Sequence, residues 1–231
     1  MTPNLSKPSH RKRWPFLSRL DETARSRPLV FAPLAWLKLQ FLCHAGETEV
    51  GGFGLSHADD LLYVEDVLVV RQRCGFASVA FDDAAVADLC DDMADVGIGL
   101  QQYLRLWIHT HPGASVEPSS TDEATFSRAF GSCDWAVMAI LGRTGQMSAR
   151  LKFNTGPGAS IELATKVDWS AWPCVIDARP SLAEQVEEWQ REYAACVIPE
   201  PIVRVAETPF GSGVDPFFDN LFSSISLGKQ P

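Results

Sequence analysis

The sequence predicts a mixed α/β or α+β domain, with a central mixed β-sheet flanked by helices. Three observations carry that expectation. Short runs rich in Val, Leu and Ile recur along the chain, segments with apolar residues at helical spacing separate them, and turns containing Gly or Pro divide the two. With 231 residues, 46% of them hydrophobic, the chain can bury one well-packed core and still carry modest extensions.

In chain order, residues 1–27 show no periodic pattern and read as a leader. Residues 28–31 are short and apolar, a candidate first strand. Pro33 suits the first turn of a helix running to about His44, with Leu34, Leu37 and Phe41 on one face and Gly46 beyond its end. Residues 48–55 alternate and contain Gly51, Gly52 and Gly54, which predicts a strand closely approached by other backbone. Residues 61–70 read as a buried strand and 78–81 as a further short one. Asp82 or Asp83 then caps a helix with a stripe of Val86, Leu89, Met93 and Val96, ended by Gly97.

Residues 103–109 form the next predicted strand, stopped by Pro112, and a polar loop leads to a helix over about 121–130. Residues 135–141, 149–153 and 161–167 are closing strands, with turn signals at 142–145 and 156–158. Residues 181–197 return to helical spacing through Leu182, Val186, Trp189 and Tyr193. The expected organisation is a basic leader (1–27), a central domain (28–169) and a C-terminal helix with an extension (170–231).

Charge is uneven. Residues 1–27 carry a net +5, whereas the remainder carries 13 basic and 27 acidic side chains, a net −14. An acidic body suits a basic protein surface better than a phosphate backbone, so nucleic acid is not an expected partner. The basic leader reads first as a solvated tail, with contact to nucleic acid or to an acidic partner as the alternative. No run of about 18 apolar residues predicts a membrane span, and the leader lacks the apolar core of a secretory signal. Six scattered cysteines without a C-x-x-C pair read as reduced thiols, which fits a cytoplasmic protein.

The chemistry concentrates in residues 109–122. His109 and His111, at i and i+2 of a strand, point to the same side and can converge on one ion. A hydrolytic zinc site needs three protein ligands and a fourth position for water. Asp122 supplies the anionic ligand if the loop folds the next helix start back toward the strand. The plainer alternative is a pair of hydrogen-bonded histidines and an ordinary helix cap. Ser120-x-x-Glu123 reads as the better capping box, which would free Ser119 and Asp122 for the site.

The order H-x-H-x7-S-x2-D, with Pro112 directly after the second histidine, resembles the motif of the JAMM/MPN+ metalloprotease family at every motif position. That family also has an upstream catalytic glutamate in an E-x-x-G setting, which Glu49-Val50-Gly51-Gly52 matches. Glu47, the competitor, has Val50 three residues later. The resemblance covers about residues 29–169. It implies an MPN/JAMM-type domain of cytidine-deaminase-like architecture, and one zinc per chain held by His109, His111 and Asp122. Glu49 is the implied general base, and Ser119 donates to a developing oxyanion.

The implied function is cleavage of a peptide or isopeptide bond after the C-terminus of a ubiquitin-like protein. The implied partners are that protein or its conjugates and E1- or E2-like proteins of the same pathway, in a bacterial conjugation or phage-defence setting. Three alternatives stand beside it: a RadC-like DNA-repair-associated protein, a catalytically silent MPN scaffold, and a peptidase acting on a sulfur carrier or phage tail protein. The RadC reading fits less well, because no helix-hairpin-helix module precedes the motif and the body is acidic.

Overall fold

The computed structural model describes residues 27–172 and 180–201. The expected leader, apart from Arg27, lies outside the described residues, as do Cys174 and the extension beyond residue 201. Eleven strands occur in the described chain: β1 Leu29–Phe31, β2 Gly51–His57, β3 Asp60–Leu68, β4 Gln72–Cys74, β5 Val79–Phe81, β6 Leu106–His111, β7 Trp135–Gly142, β8 Met147–Phe153, β9 Ala159–Glu162, β10 Thr165–Val167 and β11 Val197–Pro199. The helices are α1 Pro33–His44, α2 Asp83–Asp95, α3 Leu100–Tyr103, α4 Ser120–Phe130 and α5 Leu182–Cys196.

Eight strands form one mixed sheet in the order β10-β1-β3-β2-β6-β7-β8-β9, and β11-β4-β5 form a smaller one. The centre of the large sheet is β6, antiparallel to β2 and parallel to β7. All six of its residues are buried, as expected of a strand covered on both faces. One face packs Leu106 and Ile108 with Leu39 and Leu42 of α1, and the other packs Trp107 with Phe126 and Phe130 of α4. No helix of the described residues is long and apolar enough to cross a membrane. The five described cysteines are all free thiols.

Several element expectations need correction. Helix α1 buries Ala35, Leu39 and Leu42 against the sheet, while Leu34, Leu37 and Phe41 are only partly buried. The helix is apolar nearly all round because a second element covers it, and Phe41 meets Trp189 of α5 at 6.1 Å. Along the expected stripe of α5, Trp189 is buried but Leu182 is exposed. The expected buried strand at 61–70 is β3, half-covered, with Val64 and Val67 turned inward in a bulged hairpin with β2. The three residues of β4 carried no pattern long enough to read.

Tyr103 closes the short turn α3 instead of opening a strand, so β6 starts at Leu106 and runs to His111. Val96 is the C-cap of α2 and is 69% exposed, off the expected stripe, while Gly97 follows at φ 76°. The single strand expected at 161–167 is two, β9 beside β8 and β10 beside β1 at the opposite edge of the sheet.

Candidate metal centre

Odd-numbered residues of β6, Trp107, His109 and His111, share the face covered by α4, since neighbouring strand residues point oppositely. The segment entering β2 runs alongside in antiparallel register, with Gly51 opposite His109, and continuing that register sets Glu49 opposite His111. Three bonds pin this segment. Thr110 Oγ1 accepts from the Val50 N–H at 3.0 Å, and the Thr110 N–H donates to the Val50 carbonyl at 2.9 Å. The Glu49 N–H donates to the Gly75 carbonyl at 2.9 Å. The close approach expected around the glycines is real at Gly52, where an added Cβ would lie 2.9 Å from the Leu68 carbonyl oxygen.

Asp122 arrives from the first turn of α4. Here the structure corrects the capping assignment: the N-cap is Ser119, not Ser120. Ser119 Oγ accepts from the Asp122 N–H at 3.1 Å, and Asp122 Oδ2 accepts from the Ser119 N–H at 2.6 Å. Both spacings suit a capping box, and the one formed turns Asp122 toward the histidines. Ser119 is thus occupied as an acceptor, but a hydroxyl keeps its proton to donate.

The four side chains converge. His109 Nε2 lies 3.3 Å from Asp122 Oδ1, and His111 Nε2 lies 3.6 Å from Asp122 Oδ2 and 3.5 Å from Glu49 Oε1. One ligand atom from each of Glu49, His109, His111 and Asp122 falls within 4.8 Å of all the others. All four residues are buried. Yet Glu49 Oε2, both ring nitrogens of His109 and His111 Nε2 have no hydrogen-bond partner. Close approach without hydrogen-bond geometry is what side chains aimed at a shared third centre would show. A tetrahedral zinc with bonds of about 2.0–2.1 Å sets its ligands about 3.3–3.4 Å apart, close to the separations found here. The donor set of two imidazoles and one carboxylate therefore fits such an ion.

The histidines are held differently. His111 Nδ1 lies 3.0 Å from the Ser115 carbonyl, which fixes the proton on Nδ1 and leaves Nε2 as the bare nitrogen facing the cluster. His109 has no such bond; its ring stacks on Trp107 at 4.4 Å and 26°. Burial pushes the Glu49 carboxyl up to about 8, with the Asp122 charge adding to the rise and His111 opposing it. Burial also lowers His109. At His111 burial acts downward, but Asp122, Glu49 and the Ser115 carbonyl together outweigh it and raise the group. Burial acts upward on Asp122, yet the two histidines that face it and Ser119 beside it hold it well below the usual carboxylate range.

The structure brings Glu49, His109, His111 and Asp122 together, with Ser119 at the helix start beside them. Glu47 stays exposed and pairs with Arg143 at 3.3 Å. Three supporting residues went unread in the sequence: Trp107 under His109, Thr110 beside Val50, and Gln72. The Gln72 side chain clamps Gly51, accepting from its N–H and donating to its carbonyl, both at 2.8 Å. Trp107 and Thr110 were within reach of the period-two rule, since Trp107 shares the histidine face and Thr110 lies between the two ligands. Gln72 carried no local signal. Compared with known protein families the chain matches none, and a search of curated proteins finds no significant relative.

Proposed function

We propose that this chain is a zinc-dependent peptidase or isopeptidase of the JAMM/MPN+ type, cleaving after the C-terminus of a ubiquitin-like protein. The observation that carries this reading is the convergence of all four motif side chains, from β6, α4 and the entry to β2, on one buried point where several of their polar atoms lack partners. In this reading the mixed sheet is an MPN-type domain, His109, His111 and Asp122 hold one zinc, and Glu49 stands beside it as the base.

Bound there, zinc would supply Lewis acidity and lower the pKa of a coordinated water to about 7. Glu49 takes the proton from the attacking water and passes it to the leaving amine. Its burial suits that exchange, because a carboxyl held at about 8 retains a proton readily, and a nearby dication would favour the anion and so make it available to accept that proton. Ser119 directs its remaining O–H at the developing oxyanion. Asp122, already anionic, offsets the cation's charge. An extended substrate tail would lie along a sheet edge by strand addition.

The test is a reporter fused after the C-terminus of a ubiquitin-like protein. Zinc-loaded enzyme should release the reporter, a chelator should stop release, and added zinc should restore it. Release that survives chelation would refute the reading.

A further inference from the structure

The entry to β2, which carries the proposed base, is held from two sides. On one side lies β6. The Val50 N–H donates to Thr110 Oγ1 and the Val50 carbonyl accepts from the Thr110 N–H, at 3.0 and 2.9 Å. Polar groups of successive residues in an antiparallel pair face opposite ways, so those of Gly51 and the Glu49 N–H turn away from β6. Among the described residues, no strand of the large sheet meets them there, because β3 pairs with β2 only as far as Leu68 and Phe53.

Gln72 of β4 takes that place with its side chain. Its Oε1 accepts from the Gly51 N–H and its Nε2 donates to the Gly51 carbonyl, both at 2.8 Å, as a neighbouring peptide group would. The amide is used in full. Nε2 also donates to the Val70 carbonyl at 2.9 Å, and the Cys74 S–H donates to Oε1 at 3.3 Å. Gln72 is 1% exposed and cannot trade these bonds for water. The small sheet also presses close, since a Cβ on Gly51 would lie 2.8 Å from Val79 Cγ1 and 2.9 Å from Phe81 Cζ of β5. The small sheet thus holds this segment at Gly51, the register partner of His109, and the Gly75 carbonyl holds it at the Glu49 N–H.

We propose that Gln72 is a positioning residue for the reaction: through Gly51 it sets where the Glu49 carboxyl stands against His109, His111 and Asp122, and so against the metal. A base works only within hydrogen-bond reach of the proton that it takes, and a misplacement of about 1 Å costs about 10²-fold. The inference rests on the peptidase reading above for what Glu49 does, but one arm of its test needs no turnover.

Gln72→Met keeps the length and bulk of the side chain and removes both bonds to Gly51. It should lower kcat for reporter release about 10-fold to 100-fold, with KM within about twofold and zinc content unchanged. In a Glu49→Gln background the same change should cost less than about twofold, because its effect passes through Glu49. Leu163→Ala, which opens the core at the β9–β10 connection, should lower stability without lowering kcat. The arm free of turnover is the carboxyl carbon signal of Glu49 in carbon-13-labelled protein. Zinc should shift that signal in the wild type. In Gln72→Met the shift should shrink at least about twofold, while the His109 and His111 ring signals respond as before. Where Gln72→Met does not fold, Gln72→Asn, an amide one methylene short of Gly51, carries the same measurements. An unchanged Glu49 response to zinc would overturn the proposal, as would an equal loss of kcat in the two backgrounds. A reduced Glu49 response in a protein that releases no reporter would leave the role of Gln72 in placing Glu49 and remove the peptidase. Reporter release with a kcat indifferent to Gln72 would do the opposite.

Discussion

Two charged clusters in this molecule are built in opposite ways. Lys38 of α1, only 5% exposed, sits between Glu192 of α5 at 2.9 Å and Asp66 of β3 at 3.4 Å. An internal ammonium answers the carboxylates there, so the cluster is complete and ties three elements of the fold together. The cluster at Glu49, His109, His111 and Asp122 has two carboxyl groups and no lysine or arginine, and several of its polar atoms are unpartnered. A buried charge without a partner is costly. A chain able to place Lys38 between carboxylates in one cluster leaves the other open to a cation from outside, and this contrast is the physical case for a metal centre.

The largest effect should fall on chemistry alone. Glu49→Gln should lower the rate of reporter release about 10²–10⁴-fold while zinc content stays unchanged. Glu47→Gln, exposed and two residues earlier, should change the rate little. A dead Glu47 variant beside an active Glu49 variant would move the base to the wrong side of the comparison.

The closed cluster should respond in stability instead. Lys38→Met strands Asp66 and Glu192, and removing one partner of a buried pair costs about 3–5 kcal/mol when both are fully buried. Asp66 is 43% exposed, so we expect about 2 kcal/mol here, read as a lowered denaturant midpoint. Zinc content should not move. Loss of zinc in this variant would mean that the two clusters are coupled.

A smaller effect separates the two clusters through pH. In metal-free protein, Glu49 is raised to about 8 and holds a proton that the unfolded chain has released well below pH 6.5, while His111, raised above its usual value, holds one that the unfolded chain gives up through about pH 6.5. A raised pKa gives stability that is present at lower pH and lost as pH rises through the folded value. Stability of the metal-free protein should therefore fall between pH 6.5 and 8, by up to about 2 kcal/mol. Zinc displaces those protons, so the loaded protein should not show the fall. Parallel melting curves at the two pH values read this directly, and a fall of equal size in both forms would contradict it.

The parts legible in sequence were those fixed by strand and motif spacing. His109 and His111 follow from the two-residue period, and the helix bearing Asp122 follows from its Ser-rich start. Glu49 was legible only through its E-x-x-G setting, because a lone glutamate before a strand has no periodic signature. The cap was misread because Ser119-x-x-Asp122 and Ser120-x-x-Glu123 fit the same local rule, and only contact with β6 distinguishes them. Lys38 was invisible for a related reason: α1 reads as a one-sided helix, whereas the sheet and α5 cover it on two sides. In β3, Tyr63, Glu65 and Asp66 already argued against full burial, but the continuous Leu and Val run masked them.

Zinc content per chain tests the central claim most directly. Protein purified without chelator and measured by elemental analysis should contain about one zinc, and the His109→Ala, His111→Ala double variant almost none, with its far-ultraviolet circular dichroism retained. Wild-type protein without zinc, or a double variant that keeps it, would contradict the assignment of the open cluster as a metal centre.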